Sequence, residues 1–353
     1  MQQRGAEGTR LLCCLPGVSG ALSLRNEQSG RHLMRHSDGP VVPEPVAAEV
    51  RWKPILIYTV LAWGFGWLVS LPLWIDPMGL ASVHALWVLP TMMFTPCAAA
   101  AIVVLLQQRV PVRQAVRQLG IVPLRPVGKL LRFSLGGIVL LPLVVIAGIA
   151  VAALLHLVRL DLETFSGFAA MLPEEARDLL PIGVLVLVQV ISIPIAAPLN
   201  GVLAFGEEVG WRGLLLPALQ PLGDWPAVLI TGVVWGVWHS PIVLLGYNFD
   251  RPDLWGVFLM IVGATAVGTL LGWLRIWSRS VWPAVLGHGA FNAAGGLVLL
   301  FSSAKYPPDL ALAGPLGVGT WIAAAVFATV VIALSRRSTH RSDGDPVRGC
   351  DEG

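Results

Sequence analysis

Eight long apolar runs decide what this chain can become. They cover roughly residues 54–75, 84–107, 132–157, 179–200, 226–246, 254–274, 281–302 and 314–335. Each is long enough, or nearly so, to cross ~30 Å of hydrocarbon as a helix. Inside lipid every backbone N–H and C=O needs a partner within the protein, which favours helices over open strands. The short alternating pattern of an outer-membrane barrel is missing. Hydrophobic residues make up 55% of the 353 and charged residues 13%, against about 25% charge in an ordinary soluble domain. The expected fold is therefore all-α: a polytopic membrane protein with about eight transmembrane helices.

Details within the runs fit that expectation. Trp52, Trp74, Trp282 and Trp321 sit near run ends, where aromatic belts meet lipid headgroups; packing between helices is the plainer role. Pro72, Pro142 and Pro283 are placed to start, stop or kink helices. Residues 203–218 form a further helical piece. It either extends the fourth run past a bend at Pro194 and Pro198 or enters the membrane partway. Four cysteines, Cys13, Cys14, Cys97 and Cys350, show neither a disulfide framework nor zinc-knuckle spacing.

Three regions follow. Residues 1–50 are polar and rich in breakers, and are expected to be a loosely ordered or disordered tail. The stretch "LLCCLPGVSGALSL" is too short and broken to span; a cleaved signal is one alternative, and a start at Met34 another. Residues 51–337 form the transmembrane helical domain, and 338–353 a cytoplasmic C-terminal tail. The basic residues set the orientation. Arg51 and Lys53 precede the first run. Arg109, Arg113, Arg117, Arg125, Lys129 and Arg132 fill the link between the second and third. Arg275 and Arg279 lie between the sixth and seventh, and Arg336, Arg337 and Arg341 follow the eighth. With eight crossings all four groups share one side, and the acidic loop "DLETFSGFAAMLPEEARD" faces the other. The positive-inside rule makes the basic side cytoplasmic. The expected location is thus the cell (inner or plasma) membrane, multi-pass, with both termini cytoplasmic. "VRQAVRQL" reads as an amphipathic helix lying on anionic headgroups.

Polar groups that lipid tolerates least fall in three places. "FGEEVGWR" carries Glu207, Glu208 and Arg212; "WGVWHSP" carries His239; "GHGAFN" carries His288 and Asn292. Glu208 and Arg212 are four apart and can pair on one helix face, leaving Glu207 to point elsewhere. His288 and Asn292 share a face for the same reason. Taken singly, each has a bland role: a structural ion pair, a packed histidine, a polar cross-link between helices. Together, on three helices, they suggest one cavity, open to the cytoplasm at modest depth. A carboxylate and an imidazole can deprotonate a water, and a histidine with an amide can hold a developing oxyanion. Alternatively Glu207, His239 and His288 bind zinc with one coordination position left open, although HExxH is absent. His84, His156 and His340 lack such company. Asp76, Asp161, Glu163 and Glu174 are expected in solvent, and Ser240 has no triad partner.

These stretches resemble the CPBP family of intramembrane proteases, which includes type II CAAX prenyl endopeptidases and proteins linked to bacteriocin self-immunity. The family's EExxxR motif is met by "EEVGWR" (Glu207 to Arg212). Its HxxxN motif is met by "HGAFN" (His288 to Asn292), and its FxxxH motif appears as "WGVWH" (Trp235 to His239) with tryptophan for phenylalanine. The resemblance covers residues 175–300 and, more loosely, 50–335. It implies that Glu207 and His239 activate the attacking water, that His288 and Asn292 stabilise the oxyanion, and that Glu208 and Arg212 support them. The expectation is an intramembrane endopeptidase acting on membrane-associated proteins or peptides, glutamate-dependent or metal-dependent. No cofactor is required on the preferred reading; zinc is the alternative. The expected partners are the substrate and the lipid bilayer, with no nucleic acid; the sequence leaves oligomeric state open. The main rival is a non-catalytic immunity, peptide-binding or scaffold protein. An ion-coupled transporter would need inverted repeats, and no polar counterpart occurs in the first half.

Overall fold

A computed structural model describes residues 49–177 and 180–342, with side chains described to residue 330. The segments 1–48 and 343–353, which hold most of the expected tails, lie outside the described residues. The described part is helical, with one isolated β-bridge between Leu160 and Ser302. Seven helical stretches are long and apolar enough to cross a membrane. They are α1 (Trp52–Ile75), α2 (Ala85–Gln107), α4 (Val127–Leu154), α5 (Ile182–Leu222), α8 (Leu254–Ser278), α9 (Trp282–Phe301) and the stretch Leu310–Val330, which runs into α10 (Val318–Ser342). The expected amphipathic segment forms the short helix α3 (Val112–Gln118). Residues 203–218 continue α5 beyond Pro194 and Pro198, which both lie inside the helix.

The expected fifth span, 226–246, departs from that plan. It is a broken helix: α6 (Asp224–Trp238) and one further turn, α7 (Ser240–Val243), with His239 at the break. Pro241 explains the break. It has no N–H to donate, and its ring opposes the carbonyl four residues back. This shorter segment is not among the seven, and with those seven among the described residues the chain is a multi-pass membrane protein. Large apolar side chains on the outer faces, such as Leu56, Val60 and Leu68 of α1 and Ile195, Leu199 and Val202 of α5, are exposed. Surface of this kind is stable only against lipid.

Loop contacts define two ends. At one, the amide of Val281, the hydroxyl of Ser280 and the indole of Trp282 bond to carbonyls of Gly120 and Ile121. That end gathers the start of α1 and the basic links. At the other, Asp161 N donates to Phe301 O, Ser303 N to Arg159 O, and Trp74 Nε1 to Pro241 O, while Arg251 pairs with Asp309 at 2.7 Å. Here Asp161 clasps its own loop, accepting from the hydroxyls of Ser166 and Thr164 at 2.5 Å each and from both their amides.

Small residues bring the site-bearing helices together, as membrane packing favours. A Cβ on Gly232 of α6 would meet the Thr265 Cα of α8 at 2.6 Å, and one on Gly236 would strike Ile261 of α8. Gly289 of α9 lies against Ala197 and Gly201 of α5 in the same way. The helices carrying Glu207 and His288 therefore touch backbone to backbone, and the helix leading to His239 does so with α8.

Candidate active site

Four helices supply the site. Glu207 and Glu208 end the regular part of α5, and the next turn, Val209–Leu215, is π-helical. Such turns insert a residue into the helical repeat and occur often at functional sites. Arg212 lies in that turn and still reaches back: its Nη1 donates to Glu208 Oε1 at 2.8 Å, and its Nη2 to the Gly268 carbonyl of α8 at 3.2 Å. The same Glu208 oxygen lies 2.8 Å from His288 Nδ1 of α9. One buried carboxylate oxygen thus joins a guanidinium and an imidazole. A carboxylate only accepts, so His288 Nδ1 carries the proton in that bond, and Nε2 is left for the cavity.

Trp235 of α6 organises the remainder. Its indole Nε1 donates to Glu207 Oε2 at 2.6 Å. Its carbonyl accepts from His239 Nδ1 at 2.9 Å. Its ring lies edge-on to His288, with centroids 5.3 Å apart, and beneath the Arg212 guanidinium, 4.7 Å from its centroid. Because a carbonyl cannot donate, His239 carries its proton on Nδ1, and Nε2 holds the lone pair that a water can meet. The ring of Trp238 packs edge-on against His239 from the other side, at 4.7 Å.

Glu207, His239, His288 and Asn292 line one cavity of about 420 Å³. Asn292 stands exposed within it, one turn beyond the buried His288. Glu208 and Arg212 are fully buried behind the wall. The six residues singled out by sequence therefore form one connected group. His84 lies apart, near Asp76 in a loop, and Asp161 serves its own turn.

Glu207 lies beyond the end of the fourth apolar run, yet it is buried inside the bundle, because the helical stretch α5 continues to Leu222. Trp211, Arg212, Leu215 and Leu216, each at most 1% exposed, pack on the side of the basic links. The loop residues that line the cavity, Tyr247, Asn248 and Pro315, all belong to the opposite end.

Two features escaped the sequence. Trp235 was legible only as an aromatic replacing phenylalanine; its N–H, four residues before His239, was the available signal. The π-helical turn had none. Glu207, His239 and His288 are the residues that the sequence offers as an alternative zinc site. Among the described residues no three His, Cys, Asp or Glu side chains are grouped as ligands for a single ion. Both imidazoles use Nδ1 on protein acceptors, and Glu207 uses one oxygen on Trp235.

Residues 183–294 match the family model described as Type II CAAX prenyl endopeptidase Rce1-like. The match begins in α5 and ends in α9, so it contains all six residues of the site. It covers less than half of the chain. No curated protein matches the chain. Residues 183–294 are thus similar to that family's model, and they lie within a multi-pass membrane protein.

Proposed function

We propose, starting from that similarity, that the chain is an intramembrane endopeptidase in which Glu207 and His239 activate a water for peptide-bond hydrolysis. The observation that carries this reading is the shared cavity: an acid, two imidazoles and an amide all line it. Water is held between Glu207 Oε1 and His239 Nε2. As it attacks the scissile carbonyl carbon, its proton passes to this pair, and the carbonyl oxygen becomes an oxyanion. The His288 ring and the Asn292 amide face that oxyanion as hydrogen-bond donors, and donors placed in advance lower the barrier most. The tetrahedral intermediate collapses as the C–N bond breaks. The proton goes to the leaving amine, and the other product departs as the carboxylic acid, which loses its own proton to solvent.

Glu208 and Arg212 act through His288. The carboxylate orients the ring by its Nδ1 bond, and the arginine offsets the carboxylate's charge. A half-made network of this kind costs more than an apolar core, which argues that it serves chemistry rather than stability. Substrates are membrane-associated proteins or peptides, and nothing in the site requires prenylation. The basic end faces the cytoplasm of the cell membrane, with both termini on that side.

Glu207→Gln and His239→Ala test the reading, assayed on a library of membrane peptides in detergent. Loss of a general base costs roughly 10²–10⁴ in rate, so both variants fall to background while remaining folded. If both variants keep the biological function at normal expression, the chain is a non-catalytic binding or immunity protein.

A further inference from the structure

The cavity has a direction, and it runs against the charge of the loops. We propose that it receives substrate from the extracytoplasmic face, and that the substrate is an uncharged, apolar stretch at the outer end of a membrane-inserted peptide or protein. This rests on the protease reading above and adds to it where the substrate comes from and what it is.

The sidedness follows from two independent observations. Arg51, Lys53, Arg109, Arg113, Arg117, Arg125, Lys129, Arg132, Arg275 and Arg279 cluster at one end with few acids. Asp76, Asp161, Glu163, Glu174, Glu175, Asp250, Asp253 and Asp309 lie in the connecting segments at the other, against Arg159, Arg177, Arg251 and Lys305 there. The excess of Lys and Arg marks the cytoplasmic end. The catalytic cavity takes its loop lining from Tyr247, Asn248 and Pro315 at the acidic end, and nothing from residues 108–126, 217–224 or 275–282. A second cavity of about 280 Å³ does lie at the basic end, against Glu49, Arg51, Gln108 and Gln118. The two share no lining residue.

The walls define the ligand. Leu89, Met92, Ile242, Met260 and Phe291 supply apolar surface, while Asn200, Asn248 and Asn292 supply neutral amides. The ionisable groups are Glu207, His239, His288 and Tyr247, and the first three are committed to chemistry. A substrate lysine, arginine or carboxylate here loses its water and finds no partner, which costs several kcal/mol. Asparagine side chains offer both donors and acceptors to the backbone of an extended peptide. The cavity volume is within the range of small-ligand sites, enough for a short extended stretch.

The test has two arms. In a background with the four native cysteines replaced by serine, Tyr247→Cys and Gln118→Cys are exposed to a membrane-impermeant maleimide on intact spheroplasts. Tyr247→Cys is labelled from outside, and Gln118→Cys only after permeabilisation; the reverse pattern overturns the sidedness whatever the activity. In proteoliposomes of determined orientation, quenched peptides are then added to the extracytoplasmic face. Apolar, uncharged peptides are cleaved by wild type and not by Glu207→Gln, and the same peptides with Lys or Asp beside the scissile bond are spared. Glu207-dependent cleavage from the cytoplasmic face alone, or indifferent to charge, overturns this inference and leaves the protease reading standing. Outside labelling with no Glu207-dependent cleavage from either face removes the protease reading, and with it the proposed substrate, while the sidedness stands.

Discussion

Trp235 bonds through its indole to Glu207 at 2.6 Å and through its carbonyl to His239 at 2.9 Å, so one residue fixes both groups assigned to the water. Trp235→Phe keeps the ring and the carbonyl and removes only the N–H. Hydrogen bonds to charged groups contribute about 1.5–3 kcal/mol, so turnover falls roughly 10- to 100-fold. KM stays near the wild-type value, because the cavity wall is little changed. Steady-state kinetics on any cleaved peptide separates the two, and a rise in KM with turnover intact contradicts the assignment.

Arg212 and Glu208 form a buried pair at 2.8 Å, with His288 on the same carboxylate oxygen. Arg212→Leu leaves that carboxylate without its strongest partner. Breaking such a pair from one side costs about 3–5 kcal/mol, visible as a large fall in Tm in detergent. Glu208→Gln keeps the shape but leaves the buried Arg212 guanidinium without its counter-charge, so it also lowers Tm. It lowers turnover as well, since His288 loses its carboxylate. Equal stability of Arg212→Leu and wild type contradicts this view of the pair.

Gly236 presses on Ile261 at the contact of α6 with α8. An added methyl meets backbone rather than a movable side chain, so Gly236→Ala forces the helices apart. Overpacking of this kind costs about 1–3 kcal/mol. It also moves His239, three residues on. Tm and turnover both drop in this variant, whereas Gly64→Ala, where a Cβ meets nothing, changes neither.

Asp161 provides a pH test outside the membrane. Hydroxyl bonds from Ser166 and then Thr164 hold its carboxyl well below the usual carboxylate range. A carboxyl whose folded pKa is depressed stabilises the fold at every pH above its unfolded value, near 3.9, and that contribution fades as pH falls toward the folded value. The Tm difference between wild type and Asp161→Asn is therefore full at neutral pH and shrinks below about pH 4. A difference that holds constant into acid contradicts the clasp.

How much of this could be read from the residues alone follows from range. Span positions were legible because lipid imposes a local rule, namely long apolar runs. The six polar residues stood out because each is costly in such a run. The break at His239 was hinted at by Pro241, yet the run continued in hydropathy to residue 246. The π-helical turn at Val209–Leu215 has no local signature. The bond from Trp235 to Glu207 joins residues 28 positions apart, and only packing sets it. The depth of Glu207 depended on residues 203–218, which the sequence left as either an extension of the fourth run or a partial re-entry, and the structure makes them an extension that reaches Leu222.

The most direct measurement is cleavage by purified wild type and Glu207→Gln in detergent, with bound metal quantified in the same samples. The account predicts Glu207-dependent hydrolysis of a membrane peptide that persists after chelation, in protein without stoichiometric zinc. Hydrolysis by Glu207→Gln at the wild-type rate, or a stoichiometric zinc that leaves when His239 and His288 are replaced and takes the activity with it, contradicts the account.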